Sequence, residues 1–170
     1  MLLRRENRDV RQPDPDRNAR MAQVLEDVRV LMRSIKRHYR WVEERTGFGG
    51  AQIWALSVIG DTPGIRSGEL AERLHIHRST VSNLLKRLVA HGLVDRTRTA
   101  KDQREVRLTL TPRGKRTLKA APRPAAGVLQ QALLDLPRPR LNALAAELHA
   151  LLGAMQRRDL RARHALLAHL

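Results

Sequence analysis

One short segment carries the side chains whose types and spacing suit a chemical task. Between residues 78 and 88, apolar and polar side chains alternate with the period of a helix, so each kind occupies one face. The apolar face consists of Val81, Leu84, Leu85 and Leu88. The polar face consists of Arg78, Ser79, Ser82, Asn83 and Lys86, with Thr80 and Arg87 at its margins. Such side chains hydrogen-bond base edges and phosphates, so this face has the chemistry of a helix that reads the major groove of DNA.

A second helix must hold that face in place, and residues 67–74 are predicted to form it. Leu70, Ala71 and Leu74 would face inward, Ser67 would cap the helix, and Ile76 would fill the three-residue turn before the next helix. An ordinary amphipathic helix pair is the alternative interpretation. A solvated helix face usually mixes acids with bases, yet residues 73–94 contain no Asp or Glu. The spacing therefore favours a helix-turn-helix for DNA.

Two strand-like runs follow at 93–98 and 104–110, the second of which alternates apolar and polar residues. The four cations on or beside the predicted hairpin tip are Arg96, Arg98, Lys101 and Arg104. Such a wing could place cations along the DNA backbone or in the minor groove. Asp102 lies among these cations, and we expect it to hold the wing in shape by pairing with Arg98 or Arg104.

Several motifs in this order resemble the MarR family of bacterial regulators. They are Gly68-Glu-Leu-Ala-Glu-Arg-Leu, Arg78-Ser-Thr-Val-Ser-Asn-Leu-Leu-Lys-Arg-Leu, His91-Gly-Leu-Val-Asp-Arg, Asp102-Gln-Arg and Val106-Arg-Leu-Thr-Leu-Thr-Pro-Arg-Gly. The resemblance covers about residues 21–156 and is most specific between 66 and 115. His77 stands where the family often has Asp, which leaves Ser79 as an alternative cap for the second helix.

The resemblance implies a mainly α fold with a small two-stranded β-wing: a winged helix-turn-helix joined to a helical dimerisation region. It implies a homodimer built from the first and last helices, with two recognition helices on a pseudo-palindromic operator in double-stranded DNA. It also implies a small anionic or aromatic effector that binds between the dimerisation and DNA-binding regions and weakens operator binding.

The rest of the chain divides around this centre. Residues 1–20 are predicted to be a mobile arm, 21–47 a dimerisation helix that begins near Asn18 to Met21, 48–112 the DNA-binding domain, and 113–170 the C-terminal dimerisation helices and tail. Gly60 to Gly64 is predicted to be a loop. Two proline pairs, at 122/124 and 137/139, are expected to interrupt the C-terminal helices.

Charge and composition limit the class of protein. The chain has 33 Lys and Arg against 17 Asp and Glu, and 13 of these bases but only three acids lie between residues 73 and 119. An excess located there favours a polyanionic partner over a general codon bias. With no cysteine, no apolar run that could span a membrane and no signal-peptide core, we expect a cytoplasmic protein on the bacterial nucleoid.

No catalytic arrangement or cofactor motif stands out, and we expect neither an enzyme nor a metal site. The aromatic residues Tyr39, Trp41 and Trp54 are candidates for an effector pocket, although core is the favoured interpretation for Trp54 because it lies in an apolar helix. The leading hypothesis is a sequence-specific regulator that acts as a repressor, so that it blocks transcription when bound. The alternative is an architectural or non-specific DNA-binding protein without an effector.

Overall fold

The structure is a computed structural model that describes residues 14–99 and 102–155, and it describes no side chain at 98, 99 or 102–105. The chain divides into two compact units, Met1–Arg33 and Ser34–Leu170. The described part of the first unit is the beginning of one helix. The second unit contains every other described element.

Seven helices and three strands follow one another in the described residues. The helices are α1 (Pro15–Thr46), α2 (Gly50–Asp61), α3 (Ser67–Leu74), α4 (Arg78–Ala90), α5 (Pro112–Ala120), α6 (Val128–Asp135) and α7 (Arg138–Ala154). The strands are β1 (Ile65–Arg66), β2 (Val94–Thr99) and β3 (Asp102–Leu110). The mainly α fold with a small β-wing is confirmed, and α3 has the bounds that the sequence predicted.

Helix α1 begins at Pro15, before the predicted start at Asn18 to Met21 and inside the segment assigned to the arm. Proline suits the first helical position because an N–H at that position would have no acceptor within the helix, so its absence removes no hydrogen bond. The backbone N–H of Asp16 donates to the Asp14 carboxylate at 3.1 Å, which satisfies one free donor of the first turn. The helix ends as predicted before Gly47, which has a φ of +73°.

The sheet has three antiparallel strands in the order β1-β3-β2, so the predicted two-stranded wing gains a third strand. Ile65 pairs with Leu108 and Arg66 with Arg107. The predicted loop over 60–64 was too long at its start, since α2 continues to Asp61. The short strand β1 anchors the wing to the entrance of α3.

The core of the second unit joins α2, α3, α4 and the sheet through aliphatic side chains. The largest fully buried of these are Ile53, Leu56, Ile59, Ile65, Leu70, Leu85, Leu88, Leu93 and Leu108. The proline pairs act as predicted, because α5 ends before Pro122 and α7 begins directly after Pro137. The core therefore fixes the helix-turn-helix and the base of the wing as one body.

Candidate nucleic-acid interface

Local hydrogen bonds fix the beginning of α3. The N-cap is Arg66 and not Ser67: the Arg66 backbone N–H donates to the Glu69 carboxylate at 3.2 Å, and its Nε donates to the same group at 2.9 Å. Hydrogen bonds from the Arg66 side chain and backbone lower the pKa of Glu69. The sequence interpretation missed this cap because it looked for a hydroxyl acceptor, whereas the acceptor is the carboxylate three residues into the helix.

The turn between α3 and α4 is tight and includes one residue in the left-handed backbone conformation. His75 has a φ of +53°, and its N–H donates to the Glu72 carbonyl at 3.1 Å. The N–H of Ile76 donates to the Ala71 carbonyl at 3.2 Å, and its half-buried side chain packs against the core as predicted. The turn thereby sets the angle at which α4 leaves α3.

Helix α4 has the two faces that the sequence predicted. Val81, Leu84, Leu85 and Leu88 are buried. Arg78, Ser79, Ser82, Asn83, Lys86 and Arg87 are exposed, and Thr80 is half-buried. The N-cap position falls on His77, and Ser79 lies in the first turn, so Ser79 does not cap the helix. The polar face is thus solvent-accessible along the whole of α4.

Two of these side chains already make contacts within the protein. A methyl group at Gly68 would lie 3.7 Å from Nη2 of Arg78, so the Arg78 guanidinium packs over the first turn of α3. The Ser82 hydroxyl donates to the Arg78 carbonyl at 3.0 Å. With its proton engaged, the Ser82 oxygen still has lone pairs that accept from an amino group on a base. Asn83 and Lys86 extend from the same face one turn apart.

The wing is described mainly through its backbone. Arg98 pairs with Val106, and Thr99 pairs with Asp102, with an irregular register between Arg98 and Thr99. Arg96 lies on β2 with an exposed side chain. Lys101 lies outside the described residues, as do the side chains of Arg98, Asp102 and Arg104. The proposed contacts of these four residues therefore stay predictions.

A close contact joins the base of the wing to α5. Thr111 caps this helix: its Oγ1 accepts from the Gly114 N–H at 2.9 Å and donates to the Gly92 carbonyl at 2.7 Å. A Cβ atom at Gly114 would lie 2.1 Å from the Leu93 carbonyl oxygen, so only glycine permits this approach. The position of the wing is consequently tied to that of α5.

The three aromatic residues proposed for an effector pocket have different surroundings. The half-buried Tyr39 ring packs on Gly50, where a Cβ would lie 2.2 Å from the ring. The Tyr39 hydroxyl lies 3.4 Å from Nε2 of Gln130 in α6. Trp54 is half-buried against the core.

Trp41 borders an open cavity of 540 Å³ whose wall includes Arg37, Arg40 and Arg123 together with Glu44. His38, beside it, is 6% exposed. Burial lowers the pKa of His38, and a hydrogen bond to the Pro124 backbone opposes that shift. The sequence interpretation missed Arg123 as a residue of this cavity, because no helical periodicity relates it to the residues of α1.

Residues 14–99 and 102–155 contain neither a metal-binding cluster nor a helix suited to span a membrane. No group of three or more His, Asp or Glu side chains there is arranged to hold a metal ion. No helix there combines the length and apolar character needed to cross a membrane.

Comparison with known proteins agrees with this geometry. Residues 46–105, which contain α2 to the wing, match the model of the MarR family. The chain is 34% identical over 111 residues to the HTH-type transcriptional regulator TtmR of Methylorubrum extorquens, a match that covers 62% of this chain and 56% of TtmR. It is 28% identical over 94 residues to the HTH-type transcriptional repressor MdtR of Bacillus subtilis, covering 55% of this chain and 61% of MdtR.

Two solved structures share the fold. One is a MarR family transcription regulator with a TM-score of 0.53 and 24% identity, covering 80% of this chain and 90% of that protein. The other is YusO of Bacillus subtilis, with a TM-score of 0.52 and 22% identity, covering 81% and 98%. The chain therefore has the winged helix-turn-helix fold of these proteins, and residues 46–105 match the family that the sequence motifs indicated.

Proposed function

We propose that this chain, whose winged helix-turn-helix belongs to the MarR family, regulates transcription by binding double-stranded DNA in a sequence-specific manner. The observation that carries the proposal is the exposed polar face of α4. Its Asn83 and Lys86 side chains are solvent-accessible, and no acidic residue lies between residues 73 and 94. A face with hydrogen-bonding groups and no acids fits the electronegative major groove.

A homodimer is the second part of the proposal. In α7 and the residue directly after it, five large apolar side chains are 38–51% exposed: Leu144, Leu148, Leu151, Leu152 and Met155. In the described part of the first unit, a similar set in α1 is 43–60% exposed: Met21, Val24, Leu25, Val28, Val30, Leu31 and Met32. Apolar stripes of this size are uncommon on monomers, and a second copy would bury them. Two α4 helices would then read half-sites about one helical turn apart.

Repression and release by an effector complete the proposal. MdtR, the relative named above, is called a repressor. A protein that occupies a promoter palindrome blocks polymerase, so we propose repression as the mode of action. A small anionic or aromatic molecule is proposed to weaken DNA binding, and Trp41 with its arginine-lined cavity supports that part.

Selection of bound fragments from genomic DNA tests sequence specificity directly. We expect enrichment of a pseudo-palindrome and at least about a thousandfold preference over random duplex at fixed salt. Asn83→Ala should alter the selected sequence, whereas Arg104→Ala should weaken binding to all sequences. Equal affinity for every duplex would refute the proposal and support the architectural alternative instead.

A further inference from the structure

One arginine, Arg123, borders two cavities of the second unit. The first measures 510 Å³ and lies between α2 and α5, with Lys115 and Lys119 in its wall. The second is the cavity of 540 Å³ described above, with Arg37 and Arg40 of α1 in its wall. Because the two rims share Arg123, their cations form one continuous surface. We call this surface the basic band; it consists of Arg37, Arg40, Lys115, Lys119 and Arg123.

The basic band has an excess of exposed positive charge. All five side chains are exposed, and none forms an ion pair within residues 14–99 and 102–155. Among the described residues that line the two cavities, the acids are Asp61 and Glu44. Five cations against two carboxylates leave a net positive surface that extends over α1, α5 and the segment after α5. A charge distribution of this extent attracts a polyanion.

The side chains of the band favour nucleic acid over an acidic protein segment. The exposed residues of α5 include no large apolar or aromatic side chain: they are Pro112, Arg113, Lys115, Arg116, Lys119 and Ala120. Protein partners depend on apolar and aromatic anchors that become buried, whereas contacts to a phosphate backbone need only cations.

The same composition favours a duplex over a single strand. Proteins that bind single strands stack successive bases on several aromatic side chains. Among the described residues that line the two cavities, Trp41 alone is a Phe, Tyr or Trp. One aromatic side chain cannot stack a run of bases, so a duplex that presents its phosphates is the better fit.

The band is also separate from the predicted contacts of the wing tip. Strand β3 has nine residues and spans about 26 Å from Asp102, beside the tip, to Leu110. Leu110 lines the same cavity as Lys115 and Lys119, so this end of the band lies at the base of the wing. Cations at the tip and cations of the band therefore form two different surfaces.

From this arrangement we infer that the basic band binds the phosphate backbone of duplex DNA outside the operator. The DNA comes either from the flanks of the operator, which reach the band by bending, or from a second duplex. Bending costs energy that the added phosphate contacts offset. Binding at the band does not depend on base reading by α4, whereas the joining of this DNA to an operator rests on the proposed function.

The first experiment compares two duplexes on the full chain. One is an operator core of about 20 base pairs, selected as described above, and the other is the same core with random flanks on both sides. The test variant is Lys115→Gln/Lys119→Gln. The matched control is Arg113→Gln/Arg116→Gln, which removes the same charge from exposed positions of α5 that line neither cavity. Circular dichroism and sedimentation establish that both variants fold and assemble as the wild type does.

Anisotropy titrations at several salt concentrations give the slope of log K against log salt for each duplex. If flanking DNA occupies the band, the wild type has a steeper slope on the flanked duplex than on the core. The test variant should lose up to about 1.8 of that slope per chain, at about 0.9 for each phosphate contact, and keep the wild-type slope on the core. The control should keep both slopes.

The second experiment tests for a second duplex. The operator core is immobilised in excess over the protein, and a labelled duplex of unrelated sequence is added. If the band binds a second duplex, the wild type and the control retain the label and the test variant loses most of it. Arg37→Gln/Arg40→Gln should lose it too, because these residues belong to the same band on α1.

The inference fails if the wild type shows neither the steeper slope nor capture of the labelled duplex, or if the control loses as much as the test variant. Poly-glutamate that displaces the DNA from the band as well as random duplex does at equal charge would also overturn it, in favour of an acidic protein partner. If no operator is selected, the proposed function fails. The slopes of the same variants on random duplex then still test the band.

Discussion

The sharpest test of the DNA-binding proposal is Lys86→Gln, because its effect on salt dependence can be calculated. The Lys86 side chain is exposed on the polar face of α4, and no ion pair holds it within the part of the chain that the structure describes. Its full charge is therefore available for a phosphate. Each lost phosphate contact lowers the magnitude of the slope of log K against log salt by about 0.9.

A homodimer presents two copies of Lys86, so the slope should decrease by about 1.8 per dimer. Between about 50 and 200 mM salt, this difference corresponds to roughly a tenfold smaller loss of affinity for the variant. The measurement is a fluorescence anisotropy titration of a labelled operator duplex at several salt concentrations. The preferred sequence should stay the same, because a phosphate contact positions the protein without reading bases.

The control is Arg45→Gln, which removes the same charge from an exposed position in the last turn of α1. We expect this variant to keep nearly the wild-type slope. A Lys86→Gln slope equal to that of the control would refute the assignment of α4 to DNA. A decrease of only about 0.9 would refute engagement of two copies and leave a single α4 on the duplex.

Four further substitutions test the fold and the assembly. Gly114→Ala should lower the free energy of unfolding in urea by about 2–4 kcal/mol, through collision with the Leu93 carbonyl and disturbance of the α5 cap. Gly153→Ala, where the new methyl group has open space, should instead raise it by up to about 1 kcal/mol, so equal losses would contradict the packing argument. Burial lowers the pKa of His38 from 6.5, so the folded state favours the neutral imidazole. The stability of the folded state that depends on this neutral form is fully present above about pH 6.5 and decreases as pH falls towards the lower folded-state pKa. The unfolding free energy of His38→Gln should vary less between about pH 7.5 and 5.5 than that of the wild type, and an identical dependence would exclude this origin. Leu148→Glu puts a charge on the exposed apolar face of α7 and should give monomers in analytical ultracentrifugation, whereas an unchanged sedimentation coefficient would place the dimer interface elsewhere.

Elements that depend on neighbouring residues were predictable from the sequence. The polar face of α4 follows from a period of 3.6 within eleven residues, and Thr111 with Pro112 is a local signal for the start of α5. The proline pairs interrupt the C-terminal helices because proline lacks an N–H donor and its ring clashes with the preceding turn. In each case the cause lies within a few residues of its effect, so the sequence alone contains it.

Strand β1 was not predictable in this way. Two residues are too few to show alternation, and Gly60 to Gly64 has the composition of a loop. What makes Ile65 a strand residue is its pairing with Leu108, which lies far along the chain. The cap of α3 was missed for a related reason. Glu69 accepts a hydrogen bond from the backbone N–H of Arg66, and because almost any residue has a backbone N–H, no residue type marks this cap in the sequence.

The aromatic residues proposed for an effector pocket show how helix geometry limits which side chains can line one site. Tyr39 and Trp41 are two positions apart on α1, which is about 200° around a helix, so the two rings point in nearly opposite directions. The two rings therefore have different surroundings, and the effector pocket stays a prediction. An interface on one helix face needs only that period, whereas the cavity beside Gly60 exists because Gly60, Leu110 and Leu118 converge from three elements. The DNA-reading face could for this reason be assigned from the sequence, and a ligand site in this fold has to be sought where separate elements meet.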